Sequence, residues 1–549
     1  MTFIPSVLTN SDLNNTTTNT TGTSYIGTGT ITTGYNTIYI TLTSNADSAA
    51  GGLEIQFSAD NSAWTTYYTD TYFTGTLFSK SYKIVGKYWR VKYTTVSANF
   101  TINSRLSTNV DPTAQGIDSF YIGVSDSYHD AFGKLRTTTP YTLIDNKFPS
   151  GATGTTQYLS NIMGDCNDAS GSTVTAVYGS SQCVMTITNS VSSSSYTSQS
   201  RKYATYQPGK SLLFLSSGII KDTTFTTSAN YTARIGYFDN NNGLFFEQNG
   251  STVVGEKIAV VLRNTPSGGS TSNATTNQKD WNIDKFDGTG ISGVTLNFEK
   301  NQLFVIDLEW LSAGRIRFGF YLFGRIFYCH QITNFNTLTA PYMISPNLPI
   351  RYQLTVNDAG KQARLTQICS SLMSEGGYNP IGKPFSVSNG TTPVVLSDTL
   401  ERPVLAIRGN SATASAINNR YYHQNVVPTL LSIFGTANPD IFYIVRLYLA
   451  PNTPTVADAS WNAVDVNSVC QYAVGVGITA INPATSIIVD SGYAAGGASA
   501  SIQVLSSIYA DALQITSNVT NVSDVILITA KSFTGTPGVY ASINWQEIY

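Results

Sequence analysis

The stretch that decides the fold is RIRFGFYL, Arg315–Leu322, followed by GRIFYCHQI, Gly324–Ile332. In the first, Ile316, Phe318, Phe320 and Leu322 fall on one side and Arg317, Gly319 and Tyr321 on the other. Period two is the mark of a strand with one buried face. The second run returns after a turn near Gly324, so the two read as a hairpin. The same alternation recurs along most of the chain. Ile38, Ile40 and Leu42 alternate with Tyr39, Thr41 and Thr43; Leu53, Ile55 and Phe57 with Glu54, Gln56 and Ser58. Trp89, Val91 and Tyr93 alternate with Tyr88, Arg90 and Lys92, and Ile441, Tyr443, Val445, Leu447 and Leu449 form a further set. Ser172–Thr188 reads as a hairpin with a Gly-Ser-Ser turn, and Arg234–Val254 as one turning at Asp239–Gly243.

Composition agrees. Charged residues are 12 % of the 549 residues, about half the usual ~25 %. Aromatic residues are also 12 %, with Thr, Ser, Asn and Gly filling much of the rest. These types suit pleated surfaces and turns. The expected class is all-β, with serial β-sandwich domains, the central one jelly-roll or lectin-like. Residues 1–24 read as an extended arm, 25–108 as a small sandwich and 109–155 as a connecting strap. Residues 156–380 read as a larger sandwich of about eight to twelve strands, and 381–549 as a third sandwich. Within 363–374, Leu365, Ile368, Cys369, Leu372 and Met373 fit a helical stripe; the all-β surroundings favour a strand. No fixed repeat, collagen triplet or sustained heptad is present.

The net charge of −2 gives no basic face for nucleic acid. The N-terminus MTFIPSVLTNSDLNN lacks a basic and then apolar leader, so synthesis in a host cytoplasm is expected. No apolar run is long enough for membrane insertion by a helix. The sequons at Asn15, Asn99 and Asn230 are discounted for the same reason. Five cysteines at wide spacing, Cys166, Cys183, Cys329, Cys369 and Cys470, read as reduced thiols, with a Cys166–Cys183 bridge across a hairpin as the alternative.

Catalytic patterns are weak, and an enzyme is not expected. His129, His330 and His423 have no nucleophile elbow near them. Asp307 and Glu309 lie at i, i+2 and could resemble a glycosidase pair. Arg315 and Arg317 follow closely, so a cross-strand charge ladder explains both signs. Asp280, Asp284 and Asp287 could offer oxygens to calcium, but the D-x-D-x-D-G core is missing, and Asx-turns explain the loop. No cofactor is expected. Trp64, Tyr67, Tyr68 and Tyr72 cluster after an early strand; such aromatics serve glycan binding, subunit contact or core packing.

DAFGKLRTTTPYTLIDNK (Asp130–Lys147), YQPGKSLLFLSSGII, RIGYFDNNNGLFFEQNG, WNIDKFDGTG, FVIDLEWLSAGRIRFGF and SPNLPIRYQL occur in that order over residues 118–380. The set resembles a family of virion structural proteins of tailed phages and large DNA viruses. Lys134 stands where the family's motif carries Arg, which keeps the charge. The resemblance implies a subunit of a virus or phage particle, associated with tail, baseplate or fibre, and brings no catalytic residues. Its partners would be copies of itself and other virion proteins. A receptor-binding adhesin for host-surface glycans is the alternative, and a glycan depolymerase a remote one. Asp130, Phe132, Leu135 and Arg136 are the expected packing residues of the strap. Phe3, Ile4 and Leu8 are expected to anchor the arm by strand addition to a neighbouring chain.

Overall fold

The computed structural model describes residues 7–10, 18–19, 24–95, 98–107, 140–148, 165–170, 174–188, 193–221, 231–249, 257–266, 269–290, 292–379, 381–409, 425–436, 439–457, 460–496, 501–504, 514–520 and 522–548. Among these the structure is all-β: strands joined by turns, with three-residue 3-10 segments and no α-helix. No described helix is long and apolar enough to cross a membrane. The chain divides into two compact units, the first holding the strands up to Ser107 and the second those from Tyr141 onward.

The first unit is a sandwich, with ten strands among its described residues. They are β1 (Val7–Asn10), β2 (Thr18–Asn19), β3 (Ser24–Ile26), β4 (Thr30–Ile31), β5 (Thr37–Ser44), β6 (Ser48–Ser58), β7 (Thr65–Asp70), β8 (Phe78–Lys83), β9 (Tyr88–Thr95) and β10 (Ala98–Ser107). One sheet runs β1-β10-β5-β8, with β2 also on β10; the other runs β3-β9-β6-β7, with β4 on β9. The alternating sets legible in β5, β6 and β9 point inward, and Phe100, Ile102 and Leu106 of β10 complete the core. The arm departs from expectation. Val7–Asn10 pair with Ser104–Ser107, and Thr18–Asn19 with Ala98–Asn99, so these segments extend a sheet of their own chain. The physical reason is the open edge of β10, whose backbone groups take whichever strand reaches them, and the tethered arm is the nearest.

In the second unit a large sandwich comes first. One sheet, of eight strands, runs Val174–Gly179, Gln182–Ile187, Ala363–Ser374, Leu212–Ile219, Gln302–Leu308, Ile316–Leu322, Arg325–Ile332, with Tyr141–Lys147 also paired to Ala363–Ser374. The facing sheet, of seven, runs Asp165–Ser170, Ser194–Ser200, Ile350–Val356, Tyr231–Phe238, Gly243–Gln248, Ile258–Asn264, Ser272–Asn277. Together they exceed the eight to twelve strands expected. Phe246 sits at the centre of the core, its ring 5.1, 5.5 and 5.3 Å from those of Phe304, Phe318 and Phe320.

Two bulges explain where the sequence pattern was hard to read. Tyr141–Lys147 lies within the expected strap, yet it is a strand of the sheet. Its register slips at Leu143, so Leu143 and Ile144 are both buried and period two is interrupted. In Ala363–Ser374 the extra residue is Ile368, opposite the step from Ser217 to Gly218. Inward residues are Ala363 and Leu365 before it and Leu372 after it, a change of phase that mimics helical spacing. Cys166 and Cys183 do not share a hairpin: Asp165–Ser170 and Gln182–Ile187 belong to opposite sheets.

The third sandwich has one sheet of Gly382–Ser388, Gly538–Ile548, Asn425–Gly435 and Ser501–Val504, with Val394–Val395 added. Its partner is ordered Asn462–Ala463, Cys470–Val474, Arg402–Gly409, Val525–Ser532, Ile441–Tyr448, Ser486–Ala494. Tyr443, Val445, Leu431, Ile543 and Trp545 lie in its core. Buried polar groups weld it to the large sandwich. Arg201 donates from Nη1 to Asp524 at 3.0 Å and from Nη2 to the Ala450 carbonyl at 3.3 Å. Asp524 also accepts from the Ala450 N–H at 2.8 Å and from Thr516 Oγ1 at 2.6 Å. Asn425 donates to the Tyr203 carbonyl and to Thr205 Oγ1. Burial raises the Asp524 carboxyl above its ordinary value, and the Arg201 charge and these donors offset only part of that.

Removing one member of a buried ion pair strands the other charge. Asp524→Ala is therefore expected to cost about 3–5 kcal/mol in denaturant unfolding of the second unit. The double replacement Asp524→Leu with Arg201→Met should cost much less, and equal losses for the single and double variants would contradict the weld.

Candidate binding face

Because β6 buries Leu53, Ile55 and Phe57, it must present Glu54 and Gln56 outward; β9 likewise buries Trp89, Val91 and Tyr93 and presents Arg90 and Lys92. Register places Glu54 beside Lys92, and Gln56 between Arg90 and Thr66. The side chains interlock along this row. Lys92 Nζ donates to Glu54 at 2.6 Å. The other Glu54 oxygen accepts from Thr66 Oγ1 at 2.7 Å and Gln56 Nε2 at 3.1 Å. Gln56 in turn accepts from Arg90 Nε at 2.8 Å. The Arg90 guanidinium lies 4.3 Å from the centre of the Trp64 ring, a cation–π contact.

Trp64 is held from the other side of the sequence as well. The turn before it is closed by Asp60, which accepts from the Ser62 and Ala63 N–H groups at 2.9 and 3.0 Å. A Cβ at Gly29 would stand 2.8 Å from the Trp64 ring and 2.0 Å from Asn61 Oδ1, so only glycine fits there. Burial alone would raise the Glu54 carboxyl, but hydrogen bonds from Lys92, Thr66 and Gln56 outweigh it and hold it below its ordinary value. Burial lowers Arg90 from its usual pKa.

The four aromatic candidates separate. Trp64 and Tyr67 are accessible near this face. Tyr67 is the extra residue where the β6–β7 register slips, and it is 55 % exposed. Tyr68 turns inward, its ring 6.3 Å from Phe57 and 5.4 Å from Tyr82. Tyr72 is buried, its hydroxyl bonded to the Ser44 N–H and carbonyl. Both are packing residues: Tyr68 takes an inward position of β7, and Tyr72, in the loop after that strand, is buried. Arg90, Gln56, Glu54, Lys92 and Thr66 were not singled out by sequence; the signal was the polar half of two alternating strands.

The remaining candidates lie elsewhere. Asp307 and Arg317 are fully buried and 2.5 Å apart, with Tyr328 Oη donating to Asp307 at 2.7 Å. Glu309 lies beyond the strand end and accepts from the Arg315 N–H at 2.7 Å, so the two carboxylates do not face each other across a cleft. Asp284 and Asp287 accept from the Phe286 and Thr289 N–H groups, each two residues on, as Asx-turns do. No metal-holding group of three His, Cys, Asp or Glu occurs among the described residues. His330 is buried, which lowers its pKa, and its Nδ1 accepts from the Asn282 N–H at 3.3 Å. Phe3, Ile4, Asp130, Phe132, Leu135, Arg136, His129 and His423 lie outside the described residues, and for Leu8 only the backbone is described.

Two apolar surface features had no sequence signal. The Ile316–Ile332 hairpin carries Phe323 at its tip, 83 % exposed and at φ +51°. In the third sandwich Tyr493 and Phe533 are exposed and stack at 5.8 Å, with Phe442 5.3 Å from Tyr493.

No protein-family model matches this sequence, and no curated protein matches it. Among solved structures, the PBSX exported protein XepA is similar over 67 % of this chain and 86 % of its own, at 10 % identity and a TM-score of 0.17. The Sulfolobus Turreted Icosahedral Virus structure is similar over 96 % and 82 %, at 8 % identity and a TM-score of 0.14. A truncated AlyQ with CBM32 and alginate lyase domains is similar over 64 % and 90 %, at 11 % identity and a TM-score of 0.15.

The Glu54 network makes a pH-dependent contribution to the first sandwich. A carboxyl held below its unfolded value stabilises fully above the ordinary carboxylate range, and that contribution fades as pH falls through it. Hydrogen exchange of the β6 and β9 amides should therefore accelerate between about pH 5 and pH 3 after correction for the intrinsic rate. Glu54→Gln should flatten this dependence; an unchanged slope would remove Glu54 from the account.

Proposed function

We propose that this chain is a structural subunit of a virus or phage particle, associated with tail, baseplate or fibre, working through contacts between subunits. One observation carries the reading: several charged groups are buried while large apolar side chains are left outside. Arg317, Arg351, Asp307, Asp524 and Glu547 are buried, whereas Leu77, Phe323, Phe335, Ile381, Val466 and Tyr493 are all more than two-thirds exposed. A surface poor in charge and dotted with apolar groups repels its own copies weakly and gains by covering those groups. The resemblance of residues 118–380 to virion structural proteins supports the same conclusion. A second reading, a receptor-binding adhesin for surface glycans, is favoured by the interlocked face around Trp64 and Arg90.

The purified chain is expected to self-associate in sedimentation, and Phe323→Ser combined with Tyr493→Ser should weaken that association by about tenfold or more. Antibodies to the chain should label intact particles. A strictly monomeric chain that is missing from particles would overturn the proposal.

A further inference from the structure

We propose that the outward face of the sheet β3-β9-β6-β7 binds an acidic glycan, with Arg90 as the residue that receives its carboxylate; this rests on the adhesin reading. The argument begins with what Arg90 leaves unused. Its Nε is committed to Gln56, and its flat face to Trp64. Its two terminal nitrogens make no hydrogen bond to any described residue, and no carboxylate pairs with it among them. Glu54, the carboxylate of this face, is already taken by Lys92, Thr66 and Gln56. Asp60, in the neighbouring turn, is spent on Ser58, Ser62 and Ala63. A guanidinium on the outward row of β9, fixed by one bond and one ring and with its terminal nitrogens bonded to no described residue, is suited to bidentate capture of a planar anion.

The surroundings favour a sugar as carrier of that anion. Tyr88 lies next to Arg90 in the outward row of β9, so a ring able to pack on a pyranose flanks the fork; Tyr67, half-exposed at the bulge, sets its ring edge-on against Phe57 at 5.6 Å. Thr69, exposed and opposite Glu54, adds a hydroxyl to the same face. Lys87, over the Tyr88 ring, adds a further positive charge. Trp64 acts as a positioning residue, since its ring is engaged by Arg90 and its edge lies against Gly29.

The test is calorimetric titration of the full chain with a short oligogalacturonate, a neutral malto-oligosaccharide of equal length and oligoglutamate. The oligogalacturonate should bind, more weakly at high salt, and the neutral sugar far less. Arg90→Gln should reduce the affinity by about tenfold or more, and Arg90→Lys should restore little, because an ammonium cannot present the fork. Trp64→Leu should weaken binding with the charge retained. Lys147→Gln, which removes an exposed lysine paired to Asp145, should leave binding unchanged. Thermal melts matching the parent chain confirm that each variant is folded, and Arg90→Lys carries the test if Arg90→Gln is not. Equal binding of neutral and acidic sugars, unaffected at Arg90, overturns the inference and leaves the adhesin reading standing. Preference for oligoglutamate overturns it in favour of an acidic protein partner. Binding of no sugar overturns both.

Discussion

A strand turns only every second side chain toward any one face of its sheet, and the rest of this structure depends on that constraint. One sheet cannot enclose a core, so each core lies between two sheets whose inner residues interdigitate. Ile38, Ile55 and Trp89 meet in the first sandwich, Phe246, Phe304 and Phe320 in the second, and Tyr443, Ile543 and Trp545 in the third. The outward half of each strand must then be polar, paired or covered. Where the chain slips by one residue, at Leu143 and Ile368, both faces change role at once.

The outward half is where the scarce charges are used. On the large sandwich Arg317 meets Asp307 beneath the Tyr328 ring; at the junction of the second and third sandwiches Arg201 meets Asp524. In the third, Arg446 grips Glu401 with two bonds of 2.7 Å. Charges held in such pairs orient strands and sandwiches, and they are withdrawn from the solvent surface. The surface left behind is polar, weakly charged and punctuated by exposed rings, some of them stacked. On that surface Arg90 is held through Nε and its flat face, and its terminal nitrogens bond to no described residue.

Left-handed backbone occurs both in the core, at Phe286, and at the surface. Phe323 holds a positive φ at a hairpin tip where asparagine or glycine would be relaxed. Its ring lies 6.4 Å from Phe327, whose own ring carries Arg325 at 4.4 Å, so the exposed tip is ordered by local ring contacts.

The all-β class was legible in the sequence because alternation is local: the sets in β5, β6 and β9 and in Ile441–Leu449 need no knowledge of their neighbours. Trp64, Tyr67, Tyr68 and Tyr72 were legible as one aromatic cluster beside a strand, undivided into accessible and buried members. What alternation cannot convey is which strand lies beside which. The pairing of Gln56 with Arg90, 34 residues apart, and of Arg201 with Asp524, 323 apart, exists only after the sheets close. Tyr72 and Tyr68 could not be told from Tyr67 by composition, because one bulge decides which of them faces water. The arm's pairing with β10 was likewise set by an open edge whose position depends on the completed sheet. Local pattern determines that a segment is a strand; only the tertiary structure decides its partner, because backbone hydrogen bonds are blind to sequence and the register is chosen by what the side chains can bury together.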